Sequence, residues 1–189
     1  MPKLTSIKGV KERLLILLKK KAYKKKEVIL SSGRKSNFYV DARRITLSSE
    51  GAFLVASIIL EMIKADAVQA IGGPTIGADP IAGAIGVLSY LNGRPLKTFI
   101  VRKNPKAHGT KRQIEGPALR RGYRVIVVDD VATTGGSMIE TISALKKQGL
   151  KVNKAICIVD RQEGATENLS KVGCKLVSIF KKKDFQKTR

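Results

Sequence analysis

The sequence has no tryptophan, one histidine, two cysteines and no apolar run long enough to cross a bilayer. Each shortage removes a class of function. Cys157 and Cys174 stand 17 positions apart, with no CxxC pair and no second ligand cluster, so neither a disulfide scaffold nor a zinc module is indicated. Both read as buried, reduced thiols of a cytoplasmic chain. The N-terminal apolar run is short and ends in lysines, which is not the pattern of a signal peptide. Acids are scarce: 15 Asp and Glu face 37 Lys and Arg, a formal net charge of +22. Such a chain attracts polyanions, whether nucleic acid, acidic membrane or phosphorylated metabolites. Aromatics make up only 5% of the residues, and the basic clusters at 1–26 and 181–189 lack interleaved stacking rings. Those clusters therefore read as solvated helix faces and a tail, and specific nucleic-acid binding is not expected.

What is present is an ordinary apolar content, 43%, in 189 residues, enough for one domain or one domain with a small appendage. Val10, Leu14, Leu15, Leu17 and Leu18 have helical spacing and predict a helix over 5–22. EVIL (27–30) and NFYVDAR (37–43) predict two short strands of a hairpin around SSGRKS, and 48–64 a helix. From 67 onward strands and helices alternate. Strands are expected at 67–72, 98–103, 123–130, 152–160 and 175–180, with a polar loop from 103 to about 122. Continuous apolar strands separated by helices indicate an α/β fold built on a parallel sheet flanked by helices. The expected organisation is an N-terminal helix and hood hairpin over 1–45, a core α/β domain over 46–181 and a basic tail over 182–189. Ligands of such sheets bind beyond the carboxyl ends of the strands. Four polar segments fall there: GGPTIGADP, RKNPKAHGTKR, DDVATTGG and DRQEG.

The most informative stretch is VIVVDDVATTGGS, residues 125–137. The small residues Thr133, Thr134, Gly135, Gly136 and Ser137 precede a helix, so their amides can form a nest for a phosphate. No GK[ST] follows and there is no GxGxxG, which excludes a Walker loop and a dinucleotide fingerprint. TTGG alone would be an ordinary turn. Asp129 and Asp130 change that reading. Two carboxylates beside a phosphate suit a ligand that offers hydroxyls or a metal a few ångströms away, as a ribose 5-phosphate does. The segment 102–112 holds five Lys or Arg, the only histidine and no acid, and suits a polyanionic leaving group.

VIVVDDVATTGGS closely resembles the phosphoribosyl-pyrophosphate signature of the type I phosphoribosyltransferases. SGRKSNFYVDAR, GGPTIGADPIA, RKNPKAHG followed by IEG, and VDRQEG further resemble the orotate phosphoribosyltransferases, in the expected order, over roughly residues 25–165. The resemblance implies transfer of ribose 5-phosphate from phosphoribosyl pyrophosphate to orotate, with Mg²⁺ held mainly by the substrate and no dedicated protein cage. It implies that Arg102, Lys103, Lys106 and His108 contact the pyrophosphate, with Lys106 and His108 catalytic. Gly73 and the run Asp129, Asp130, Val131, Ala132, Thr133, Thr134, Gly135, Gly136 and Ser137 would bind phosphoribosyl pyrophosphate. Thr133, Arg161, Tyr39 and Phe38 would bind orotate. It also implies a homodimer whose basic loop serves the neighbouring subunit. Two departures stand out: Ser31 replaces a lysine common just before SGRKS, leaving Arg34 and Lys35 as the nearby cations, and Ala107 replaces a common acid. The rival readings are a purine-type phosphoribosyltransferase, and a nucleic-acid-binding regulator that keeps the ribose-phosphate fold. Arg161 with SGRKSNFYVD argues against the first and the intact RKNPKAHG loop against the second.

Overall fold

A computed structural model describes residues 6–24, 28–29, 35–36, 38–103 and 113–186. The chain enters as helix α1 (Ile7–Leu17), capped by the Ser6 side chain accepting from the Gly9 amide at 3.2 Å. It continues through a π-helical turn, Leu18–Ala22. Four two-residue strands follow: β1 (Tyr23–Lys24), β2 (Val28–Ile29), β3 (Lys35–Ser36) and β4 (Tyr39–Val40). β2 pairs antiparallel with β3, and β4 pairs antiparallel with β1. The expected strand over 37–43 is thus much shorter. Beyond Val40 the chain turns into α2 (Arg43–Thr46), which buries Ile45 and Thr46. Burial of that single turn against the next helix overrides the extended pattern of NFYVDAR.

Helix α3 (Ser49–Met62) starts at Ser48, whose hydroxyl accepts from the Gly51 amide at 3.2 Å. Then come β5 (Ala70–Pro74), α4 (Asp79–Leu91), β6 (Lys97–Val101), β7 (Ile114–Glu115), β8 (Arg124–Ala132), α5 (Gly136–Lys147), β9 (Lys151–Asp160), α6 (Ala165–Lys171), β10 (Lys175–Lys181) and α7 (Lys182–Gln186). One six-stranded sheet runs in the order β10-β9-β8-β5-β6-β7. Every pair is parallel except β6–β7. The 103–122 loop therefore contains an edge strand, β7, that its polar composition did not indicate.

Both faces of the sheet are buried, which is why β8 reads as an unbroken apolar run. Ile126 and Val128 join Ile71, Ile156 and Ile158 under α1, α3 and α4. Val125 and Val127 face Met138, Leu145 and Leu169 from α5 and α6. Strand order reverses between β5 and β8, because the chain moves outward to β6 on one side and to β9 and β10 on the other. This switch point opens a crevice at the carboxyl ends of β5 and β8.

The C-terminal segment is not wholly a solvated tail. Through Gln186 it forms α7, and Phe185 enters the core at 6% exposure. The cause is one ring in a run of lysines: Phe185 packs on Tyr23, Phe38 and Phe180, with centroids 5.6, 5.3 and 6.3 Å away. Phe185→Ala should cost about 3–5 kcal/mol, the range for removing a buried ring. Urea or guanidinium midpoints at unchanged slope would show it, whereas a freely solvated tail would leave the midpoint where it was.

Candidate active site

The crevice holds two connected cavities of about 420 and 430 Å³, which share Thr75, Gly77, Asp130, Val131 and Thr133. A smaller one of about 120 Å³ continues from Pro74 and Thr75 toward Arg102 and Lys103. Thr75 lines all three. The floor is the end of β8. Asp129 Oδ1 accepts from the Asp130 amide at 2.9 Å, and Asp130 Oδ1 accepts from the Val131 amide at 2.7 Å. Each carboxylate is thus tied to the amide that follows it, so the pair is fixed by the strand itself.

Burial pushes the Asp129 carboxyl well above the usual carboxylate range, and the charge of Asp130 pushes it further. Asp130 is also raised, chiefly by burial, but the Val131 amide and the Arg43 charge pull it back. Asp79, the first residue of α4, is raised by burial and adds to the repulsion at Asp129; its Oδ1 is buried without a hydrogen-bond partner among the described residues. The site therefore concentrates more negative charge than it can comfortably ionise when empty. A ligand that brings hydroxyl donors or positive charge relieves this.

Val131 and Ala132 complete the strand, and Thr133 and Thr134 lead into α5. Gly135 takes a left-handed conformation, φ 81°, and a Cβ there would stand 2.7 Å from Leu169 Cδ1. Only glycine meets both demands. Asn168 Nδ2 donates to the Thr134 carbonyl at 3.0 Å and anchors the loop from behind. No side chain caps α5, so its first amides at Gly136 and Ser137 open on the second cavity. This is the amide nest that the sequence suggested, and it suits an anion.

The β5–α4 loop supplies the opposite wall, and its Thr75–Ile76 peptide is cis. Gly73 lies inside the sheet, where a Cβ would overlap the Val128 carbonyl, and it lines none of the three cavities. Gly77 is the glycine that faces the acids: a Cβ there would overlap Asp129 Oδ1 and stand 2.7 Å from Asp130 Oδ1.

Arg161, 5% exposed, lines the first cavity together with Tyr39, Asp41 and Arg43. Its amide donates to the Ala132 carbonyl at 2.9 Å, its Nη2 to the Phe38 carbonyl at 2.6 Å, and its Nε pairs with Glu163 at 3.2 Å. Phe38, expected beside a base, is instead 2% exposed in the aromatic core; Tyr39, one residue on, lines the cavity in its place. Phe38 immediately precedes β4 and packs on Tyr23 and Phe185, while the strand residues Tyr39 and Val40 both line the cavity. Arg102 and Lys103 line the smallest cavity with Gln113, Ser137 and Glu140. The Arg102 amide donates to the Gln113 carbonyl at 2.9 Å, and Gln113 Nε2 donates to the Arg102 carbonyl at 3.2 Å, so the two stems of the basic loop are joined at the rim. Lys106 and His108 lie outside the described residues.

Sequence reasoning missed Asp41, Arg43, Thr75, Gly77 and Glu140. Thr75 and Gly77 lie within GGPTIG, where the glycines alone had drawn attention. Asp41 and Arg43 lie within a segment read as plain strand. Glu140 carried no signal, since only the helical turn after Gly136 brings it to the cavity.

Asp129→Asn is the direct test of the stored charge. A carboxyl whose folded pKa is raised stabilises the protein fully below its unfolded pKa, and that stability is lost as pH rises through the folded value. Asparagine keeps the acceptor for the Asp130 amide without the charge. The variant should be more stable than wild type at pH 7 to 8 and lose the advantage toward pH 4. A tenfold preference for the protonated form is worth about 1.4 kcal/mol, or roughly 2–4 °C in Tm for a chain of this size. Calorimetric scans against pH read this directly, and an equal or lower Tm at pH 8 would contradict it.

The comparisons with known proteins agree on one family. The family model for the phosphoribosyl transferase domain matches residues 50–185. An orotate phosphoribosyltransferase of Aquifex aeolicus is 47% identical over 152 residues, 80% of this chain and 82% of its own. One from Nostoc is 39% identical over 98% of this chain and 89% of its own. The crystal structure of Mycobacterium tuberculosis orotate phosphoribosyltransferase in complex with phosphoribosyl pyrophosphate superposes with a TM-score of 0.78 at 32% identity, covering 94% of this chain and 99% of that one. This chain belongs to the phosphoribosyl transferase family and, within it, to the orotate phosphoribosyltransferases.

Proposed function

We propose that the crevice joins orotate to phosphoribosyl pyrophosphate, in de novo pyrimidine biosynthesis, with the work divided among neighbouring subsites. The observation that carries this is their order along one groove: an amide nest at α5, two acids at the end of β8, and a buried arginine across the cavity. The nest at 133–137 takes the 5-phosphate. Asp129 and Asp130 accept from the ribose 2′ and 3′ hydroxyls. Arg161, Thr133 and Tyr39 take orotate, whose carboxylate and carbonyl edge suit a planar guanidinium. Arg102 and Lys103, with Lys106 and His108 of the loop, take the pyrophosphate.

In the reaction the bond from orotate N1 to C1′ forms as the C1′–O bond to pyrophosphate breaks, the N1 proton passes to solvent or to the departing pyrophosphate, and orotidine 5′-monophosphate and pyrophosphate result. The protein's part is to hold orotate N1, C1′ and the departing pyrophosphate oxygen in line, keep water from an oxocarbenium-like C1′, and offset charge on the departing pyrophosphate. Lys106 is placed by the loop sequence for that last role. The acids also fit Mg²⁺, because a raised, mutually repelling carboxylate pair gains from a cation beside it. Asp129 and Asp130 would help hold the ion beside the substrate, and when bound it would neutralise part of the pyrophosphate charge.

The outer face of α4 supports a homodimer. Val87, Tyr90 and Leu91 are exposed in its last turns, Tyr90 at 74%. An apolar stripe of this kind suits a second copy of the chain, whose basic loop would then serve this groove. No helix among the described residues is long and apolar enough to cross a membrane.

Orotate consumption followed by ultraviolet absorbance, with phosphoribosyl pyrophosphate and Mg²⁺, tests the reaction. Turnover should be confined to orotate when hypoxanthine, adenine and uracil compete. Lys106→Ala should lower kcat about 10²–10³-fold, as for loss of one group that stabilises developing charge. Turnover of a purine, or of no base at all, would defeat the assignment. Mixing Lys106→Ala chains with Asp129→Asn/Asp130→Asn chains tests loop sharing. Mixed dimers should regain one working site, and absence of recovery would place the loop over its own subunit's groove.

A further inference from the structure

The wall that carries Arg161 rests on a ring cluster with no assigned part in the transfer. Phe185 of α7 lies 5.3 Å from Phe38, centroid to centroid, and meets it edge-on at 81°. Tyr23 of β1 closes the cluster, 5.3 Å from Phe38 and 5.6 Å from Phe185. Phe38 in turn holds Arg161 twice. Its carbonyl accepts from Nη2 at 2.6 Å, and its ring centroid lies 5.7 Å from the guanidinium carbon. Lys182, also on α7, places its ammonium 5.8 Å from the same ring. A continuous line of contacts therefore runs from the C-terminal helix, through residue 38, to the cavity.

We propose that Phe185 is a positioning residue for base recognition: by filling the space beside Phe38, the C-terminal helix fixes the plane of the Arg161 guanidinium. This rests on the assignment of Arg161 to orotate. A planar fork recognises a carboxylate only within a narrow range of orientation, and a ring that is free to tilt would let both the fork and the Phe38 carbonyl move with it. Tyr39, next along the chain, lines the same cavity and shares this support.

Two features separate this role from plain packing. Arg161 is a charge at 5% exposure, held by the carbonyl and ring of Phe38 and by Glu163, so protein contacts set its orientation more than solvent does. The ring cluster also lies on one side of the sheet only. Phe38, Phe180 and Phe185 belong to the core under α1, α3 and α4. Ala132, Met138, Ala165 and Leu169, which support the phosphate loop, belong to the core on the other side. Loosening Phe185 should thus disturb the orotate end of the groove and spare the ribose-phosphate end.

Phe185→Leu keeps an apolar side chain and removes the ring. With thermal unfolding as the check on folding, steady-state kinetics should show KM for orotate raised about tenfold, while KM for phosphoribosyl pyrophosphate and kcat stay within about twofold. Phe185→Tyr, which restores the ring, should return KM for orotate to near the wild-type value. Phe185→Met is the second variant should leucine fold poorly. The Arg161 Nε–H resonance should shift or broaden in the leucine variant and recover in the tyrosine variant. A parallel rise of both KM values, or no rescue by tyrosine, would reduce Phe185 to a structural residue and overturn the inference. Arg161→Lys is the control. If it raises KM for orotate and Phe185→Leu does not, the positioning role fails while the site assignment stands. If Arg161→Lys leaves KM for orotate unchanged, both fall.

Discussion

Two carboxylates at the end of a buried strand, each bonded to the amide that follows it, form the constraint around which the crevice is arranged. Burial and mutual repulsion make Asp129 and Asp130 reluctant to carry full charge together. The fold keeps them there with short backbone bonds and with a glycine, Gly77, that leaves room for their oxygens. The neighbouring elements answer that charge. Arg43 approaches from the N-terminal segment, and the α5 amides open beside the acids with no side chain to cap them. A site that is electrostatically unsatisfied when empty gains from a ligand offering hydroxyls, phosphate and an accompanying cation. That is a cost in stability set against function, as is common for pre-organised sites.

The parallel sheet makes this arrangement possible. Reversal of strand order between β5 and β8 sends the chain to α4 on one face of the sheet and to α5 on the other, so a gap opens beyond the carboxyl ends of these paired strands. The β5–α4 loop and the β8–α5 loop then meet over the gap, and Thr75 reaches every part of it. The basic loop leaves from β6 and returns at β7, the next positions along the sheet, so its stems stand at the rim. The relatives at 39% and 47% identity span 80% or more of this chain, so the correspondence extends well beyond the signature segment to the whole frame that carries it.

The N- and C-terminal segments behave less independently than their composition implies. Both are lysine-rich, yet each contributes an apolar anchor: Val10, Leu14 and Leu18 at one end and Phe185 at the other. Long basic side chains remain at the surface while the few apolar residues between them are drawn into one core. Phe38 links the two ends to Arg161. Phe38, read as a candidate base contact, is buried, and its carbonyl accepts from the guanidinium of Arg161, which lines the cavity.

The sequence by itself determined the alternation of elements, the parallel sheet, the amide nest and the place of the two acids. These are local properties: an apolar run of strand length, small residues before a helix, and carboxylates fixed to a strand end by their own backbone. It likewise brought Arg161 and Tyr39 to notice through their segments. Only the tertiary structure decided which glycine meets the acids, because Gly73 and Gly77 differ in nothing but what packs against them. The same holds for Phe38, drawn into the core by the rings of Tyr23 and Phe185 while Tyr39 lines the cavity, and for Asp41, Arg43 and Glu140, which enter the groove from separate elements. Periodicity reports how a segment is buried along its own axis. It carries no information on which distant element comes to lie against it, and that juxtaposition is what makes the crevice.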